Sequence, residues 1–512
     1  MAKRFKTDRM QPAGFQHADH RRPISRRDFL AQGLIGGLGI VTAPSLLGLF
    51  AGARDARAAA ADCGAGLALG SKGIPFMCFD LAGGANIAGS NVLVGKQGGH
   101  LDLLDTAGYT KLGISSLPDA SGANVDYSLG LPFHSQSSLL AGIKAVASPE
   151  ALNNVDGCVI CARSNDDTQN NPHNPMYGIA KAGANGSILN LVGSSNSLSG
   201  GNSVAPTNHI EAKLRPTKIA TERDTRGLID VGKLSTQLGP TGSVEAMKAI
   251  EQLSALKTGK IDEADAVKTL INSAYTGARE KIECNSDPNV LDPTADVKIQ
   301  GIINKALNRA TVDATVVTAD SDFLKTSSVM KLVINGYAGA GTVQFGGYDY
   351  HTGNRTVGDA KDLKAGQAIG AALEYAHQQN KALMIYVFSD GAVSSDGKVD
   401  AVNSKLVWTS DNGTCAAVFM LVYNPSGGRP TLSKPDTRQM GYYRANGSVE
   451  TTAAPFANSV STLAETVVLN YLALNGKAGD FDKVLPNNGL GTATDWDKYI
   501  AFAPMSLTDA QR

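Results

Sequence analysis

Charge is scarce in this chain. Asp, Glu, Lys and Arg make up 18 % of 512 residues, and 47 basic residues are balanced by 47 acidic ones. That balance excludes a strongly basic nucleic-acid binder. Aromatic residues are only 6 %, which argues against a surface that stacks carbohydrate rings. There is no G-x-S-x-G elbow, so a hydrolase Ser-His-Asp triad has no support. Gly239-Pro240-Thr241-Gly242-Ser243 has neither the lysine nor the preceding strand of a phosphate-binding loop. After the N-terminal stretch, no window reaches the ~18 apolar residues of a membrane span. What the chain has in quantity is glycine, at 56 residues, and this predicts many turns and close backbone approaches. Apolar residues at 42 % permit a sizeable core and exclude wholesale disorder.

Net neutrality conceals an asymmetry. Residues 1–60 carry ten of the 47 basic and four of the 47 acidic residues, which leaves 37 against 43 and a net of −6 for residues 61–512. The basic piece reads as an address. Ser25-Arg26-Arg27-Asp28-Phe29-Leu30 is a twin-arginine pattern, followed by a mildly apolar, Gly-rich stretch from Ala31 to Phe50 and the run Ala58-Ala59-Ala60-Ala61. Basic region, apolar region and small-residue cleavage site are the three parts of an export signal. Residues 1–60 are therefore expected to be a twin-arginine signal peptide. The expected location is the bacterial periplasm or exterior, with the twin-arginine translocase a partner during export and no stable membrane span after cleavage.

An exported chain can hold disulfides, and Cys63, Cys78, Cys158, Cys161, Cys284 and Cys415 allow up to three. Cys158-Val-Ile-Cys161 has the redox spacing. It sits in Val155–Ala162, which reads as a strand, whereas a redox CxxC opens a helix. No second CxxC accompanies it, so zinc through four cysteines is not expected either.

Residues 61–512 are expected to form one α/β domain with a doubly wound, mostly parallel sheet. Ile74–Leu81, Val155–Ala162, Thr342–Phe345, Ala382–Phe388 and Ala416–Tyr423 are short, near-continuous apolar runs, as in strands buried on both faces. Helical patterns lie between them, at Val329, Leu332, Val333 and Tyr337, and at Ile369, Leu373 and Ala376. A late amphipathic helix carries Val460, Leu463, Val467, Tyr471 and Leu474 and closes at Gly476. Two further stripes, Met247-Ile250-Leu253-Leu256 and Val267-Leu270-Ile271-Ala274-Tyr275, predict a helical insertion over about 240–310. Residues 163–206, rich in Asn, Ser and Gly, read as long loops of the kind that line a site.

In an open α/β sheet, ligands bind beyond the carboxyl ends of the strands. The polar residues expected there are Asp80 and Asn86, Asp166, Asp167 and His173, Asp349 and His351, and Ser389 and Asp390. Asp411 and Asn412 precede their strand and are the weakest members. Asp and His converging from several strand ends are ligand types for a divalent metal. Taken singly, each such Asp reads as a turn cap; the set, on one edge, carries the argument. Asp349-x-His351 is the most specific pair, because both side chains of an extended D-x-H point the same way. Asp287, Asp292 and Asp296 lack the spacing of an EF-hand calcium loop.

The order of motifs resembles a known family. GGAN (Gly83–Asn86), NPHNP (Asn171–Pro175), FGGYDYHTG (Phe345–Gly353), FSDG (Phe388–Gly391) and SDNG (Ser410–Gly413) follow a twin-arginine signal. This resembles the secreted bacterial family of unknown function with an alkaline phosphatase/sulfatase-like fold. The resemblance implies an alkaline phosphatase-like sheet and one or two divalent ions, zinc, manganese or calcium. Asp349 and His351 match the D-x-H ligands, Asp390 the acidic ligand after the next strand, and His173 the loop histidine. Asp80 and Asp411 are candidates by position. Asn86 and Asn412 stand where the family has Asp and His, and an uncharged amide binds a metal more weakly, so the expectation is a two-metal site weakened or emptied in one half. Ser90, Thr168 and Ser389 are candidate nucleophiles without a neighbouring base, and the sulfatase motif C-x-P-x-R is absent. Three functions follow from these residues: a metal-dependent hydrolase of phosphate or sulfate esters, a non-catalytic envelope binding or assembly protein on the same fold, and a metal or small-ligand carrier. The corresponding partners are a small-molecule ester or an envelope protein.

Overall fold

The computed structural model describes residues 73–512, apart from 166–170, 230–232, 436 and parts of 261–287. The expected export signal, Cys63, Cys284, Asp166, Asp167, Thr168, Asp287 and much of the second helical stripe lie outside the described residues.

The centre is an eight-stranded sheet. Its strands are β1 (Phe76–Leu81), β2 (Val155–Ile160), β3 (Leu189–Gly193), β4 (Thr217–Lys218), β5 (Ala338–Phe345), β6 (Leu383–Phe388), β7 (Val418–Tyr423) and β8 (Gln439–Met440). They lie in the order β8-β2-β7-β6-β1-β5-β3-β4. All neighbours are parallel except at β7, which runs antiparallel to both β6 and β2. The five expected apolar runs all became strands. β1, β2, β6 and β7 are buried along their whole length, as runs without alternation require.

Helices cover both faces. Phe76 meets Tyr471 edge-on at 5.8 Å, while Gly341, one step out of Phe76's register, faces Val329 and Val333. Adjacent strand positions point to opposite faces. Hence the helix holding Tyr471 and the helix holding Val329 lie on opposite sides, which makes the fold doubly wound. The principal helices are α1 (Ser138–Val146), α2 (Met176–Lys181), α3 (Lys233–Thr258, broken by a kink at Gly239), α4 (Val297–Leu307), α5 (Ser321–Ile334), α6 (Arg355–Gln379) and α7 (Val460–Leu474). Polar side chains start several of them: Ser137, Asp296, Asp320, Asn354 and Ser459 each accept a backbone N–H of the first turn. Part of the glycine excess has its explanation between α1 and α6. A Cβ on Gly142 would lie 2.1 Å from the carbonyl oxygen of Leu363, and one on Gly366 would lie 2.0 Å from that of Leu139.

Several expectations need correction. The 163–206 region is not all loop, since it contains α2 and β3. β5 begins four residues before the expected Thr342. α7 is not amphipathic: every residue but Ser461 is buried, because it lies in the core under the C-terminal segments. In α3 the stripe is misassigned. Met247 is buried, but Leu253 and Leu256 are 57 % and 67 % exposed, and Ser254 and Thr258 face inward instead. Cys78, Cys158, Cys161 and Cys415 are separate buried thiols, not disulfide partners. Burial pushes the Cys158 and Cys161 thiols well up, the opposite of what redox chemistry needs. No helix among the described residues is long and apolar enough to cross a membrane.

Candidate metal centre

The carboxyl ends of the parallel strands define one edge of the sheet. β7 runs the other way, so the segment before it arrives at that same edge. This reversal brings Asp411, the weakest candidate by sequence, to the D-x-H pair.

Asp349 and His351 lie beyond β5. The chain leaves Phe345 through Gly346-Gly347, and Tyr348 N–H returns to the carbonyl of Ala82 at 3.0 Å. Gly83 makes this approach possible. It has φ +111°, and a Cβ there would lie 2.6 Å from the amide nitrogen of Asp349. Asp411 stands on a two-residue ribbon, with Ser410–Asp411 pairing antiparallel to Val393–Ser394 just past β6. His351 Nε2 lies 2.7 Å from Asp349 Oδ1 and 3.4 Å from Asp411 Oδ2. One ligand atom from each residue falls within 4.8 Å of the others. The two aspartates are about half exposed.

Two carboxylates and an imidazole are a donor set for a divalent ion. Bonds of about 2.0–2.2 Å around a tetrahedral ion place neighbouring ligand atoms roughly 3.3 Å apart; the His351–Asp411 pair, at 3.4 Å, has that spacing, and the His351–Asp349 pair, at 2.7 Å, is closer. Three protein ligands at an exposed edge leave coordination positions open. The arrangement fits one metal ion.

Asp390, Asp80 and His173 lie near the same edge but are not in this cluster. Asp390 Oδ1 accepts the N–H of Gly83 at 2.7 Å, and Oδ2 accepts the side-chain amide of Asn202 at 2.7 Å. Asp80 Oδ2 accepts the backbone N–H groups of Asn202 and Ser203 at 2.7 and 2.9 Å. Burial, with the nearby Asp390 charge adding to it, raises the Asp80 carboxyl to about 7. His173 is buried against the ring of Phe388, and its Nε2 lies 3.1 Å from Ser164 Oγ. Burial lowers its pKa to about 3. Ser164 and His173 resemble a nucleophile and base, but both are buried and so weak a base abstracts protons poorly. In NPHNP, Asn171 donates to the Asp390 carbonyl and Asn174 donates to Thr342 Oγ1 at 3.0 Å. That motif straps loop to sheet.

Asn86 and Asn412 also serve the fold. Asn86 Oδ1 accepts from Ser90 N–H at 3.2 Å and from the Ser90 hydroxyl. Asn412 Oδ1 accepts from Thr414 N–H and Oγ1 at 3.2 and 2.7 Å. The Ser389 hydroxyl lies within hydrogen-bond reach of the carbonyls of Leu81 and Gly83, sharing its one proton between them, and accepts the Ala85 N–H. Ser90 and Ser389 are therefore committed to turns. Sequence reasoning missed Asn202, Ser203 and Ser164, which come from the 163–206 stretch, read as site-lining loop but with none of these residues singled out.

Compared with known protein families, with characterised proteins and with solved structures, the chain has no significant match.

Proposed function

We propose that this chain is an exported hydrolase of phosphate or sulfate esters, of alkaline phosphatase-like type, with one divalent metal ion on Asp349, His351 and Asp411. The observation that carries the reading is the convergence of these three side chains at the carboxyl edge of a mostly parallel sheet. A divalent ion held there supplies positive charge that polarises an ester oxygen and makes water more acidic. The aspartates offset part of that charge and orient His351, whose neutral imidazole is the binding form. Since the hydroxyls of Ser90 and Ser389 are engaged in turns, and Thr168 lies outside the described residues, the reading gives neither serine a covalent step and assigns attack on the ester to solvent water. That same engagement, together with the turn roles of Asn86 and Asn412, favours a second reading: a non-catalytic binding or assembly protein of the envelope, or a metal carrier.

Metal content and turnover separate the two. The exported protein, purified without chelator, is expected to hold one zinc, manganese or calcium ion per chain by elemental analysis. It is also expected to turn over members of a phosphate and sulfate ester panel. Asp349→Ala should remove both properties, and turnover that survived it would overturn the mechanism. Metal without turnover would leave the carrier reading, and no metal after adding these ions would leave the envelope reading. For export, replacing Arg26 and Arg27 with lysine should keep the chain in the cytoplasmic fraction. Continued appearance outside it would refute the twin-arginine route.

A further inference from the structure

The three ligands come from two segments that the sequence separates widely, yet they share one support. Asp349-Tyr350-His351 alternates: the ligands face the open edge, and Tyr350 turns into the core, 2 % exposed. Its hydroxyl accepts the backbone N–H of Asn86 at 2.8 Å and donates to Asp362 Oδ1 at 3.3 Å. Its ring packs on the buried indole of Trp408, with centroids 4.7 Å apart. Trp408 belongs to the other segment, just ahead of the Ser410–Asp411 ribbon. Its carbonyl accepts the N–H of Gly353 at 3.0 Å, and the next residue, Thr409, donates to Ser394 at 2.9 Å.

The indole is itself fixed from behind. The Arg355 guanidinium lies 4.0 Å from the ring centroid and donates to the carbonyls of Gly113 and Leu406 at 3.0 and 2.8 Å. Helix α6 leaves space for both rings at Gly358, where a Cβ would lie 2.5 Å from Trp408 Cζ3 and 3.1 Å from a Tyr350 ring carbon. The rings thus join the arm bearing Asp349 and His351 to the arm bearing Asp411.

We infer that Tyr350, Trp408 and Asp362 form a buried clamp that sets the spacing of the three metal ligands, so that they are positioning residues for metal binding. The inference rests on the metal reading of the triad. Groups that orient ligands without touching the ion typically change metal affinity 10–100-fold when altered. Tyr350→Phe keeps the ring but loses both hydroxyl contacts. Asp362→Asn keeps the shape and loses the carboxylate.

The test is zinc and manganese affinity by calorimetry on the full mature chain, alongside thermal unfolding of the metal-free form. Both variants should bind at least about tenfold more weakly than the wild type. Tyr471→Phe is the control, since its buried hydroxyl donates to Ile74 O at 2.9 Å on the opposite side of the sheet edge chemistry. It should lower stability and leave affinity unchanged. Equal affinity in the wild type, Tyr350→Phe and Asp362→Asn would overturn the clamp while leaving the metal site standing. An equal loss in Tyr471→Phe would also overturn it, by showing that general destabilisation suffices. Absence of metal binding in the wild type would overturn the clamp and the metal reading together. Should one variant fail to fold, the other decides.

Discussion

Two groups of acidic and histidine side chains lie along the same sheet edge, and they have opposite fates. Asp390, Asp80 and His173 are buried, and the fold supplies N–H groups for the carboxylates and a serine hydroxyl for one nitrogen of the imidazole, whose Nδ1 has no hydrogen-bond partner among the described residues. Asp349, His351 and Asp411 are partly exposed, and the contacts that define their cluster are to one another. A buried carboxylate without donors is too costly to keep, so burial itself selects for donors and leaves little coordination capacity. The strand-end rule found both groups, but exposure separates the one that holds the fold from the one suited to an ion.

Exchanging the effects of the two groups would break this comparison. Asp390→Ala orphans the Gly83 N–H and the Asn202 amide, and a loss of roughly 3 kcal/mol is expected in urea unfolding. Asp349→Ala should change metal-free stability by no more than about 0.5 kcal/mol while removing metal binding. The reverse pattern would show that the exposed cluster is structural.

Asp80 sharpens the comparison through pH. Its folded pKa, about 7, lies above the ordinary 3.8, so between these values the folded state holds a proton that the unfolded state has released. Its contribution to stability is therefore fullest below the ordinary value. It falls as pH rises toward 7, by at most about 1.4 kcal/mol per pH unit, and is level above. Asp80→Asn should flatten that part of the stability-versus-pH curve; an unchanged slope would assign the dependence elsewhere. The smallest effect is expected at Leu256→Ser, within about 0.5 kcal/mol, because that side chain faces water. A loss above 2 kcal/mol would mean the outer face of α3 is covered in solution.

Sequence reading recovered the buried strands because runs such as ALMIYVF have no polar alternation to mislead. It lost the first half of β5, where Gly339 and Gly341 interrupt the apolar run. They are glycines since a Cβ would come within 1.8 Å of the Ala184 carbonyl and 2.4 Å of Val329, neighbours only the fold supplies. It lost β3 inside a polar, Gly-rich stretch. D-x-H was legible because two-residue alternation fixes the direction of both side chains. Asp411 was ranked last because strand direction is not written locally: only the reversal of β7 brings the residue before the strand to the ligand edge. Tyr350 was the unread middle residue of its motif, and Trp408 gave no signal of its own. The Leu253-Leu256 stripe has the right period, but period does not say which face is inside.

Gly83 belongs to both groups at once. Its N–H is held by Asp390, and its bare α-carbon lies under the amide of Asp349. The clearance between the permanent part of the edge and its exchangeable part is therefore the width of a missing methyl group. Any side chain at position 83 would press first on the D-x-H arm, so this glycine is where a small change in the backbone would be felt as a change in ligand geometry.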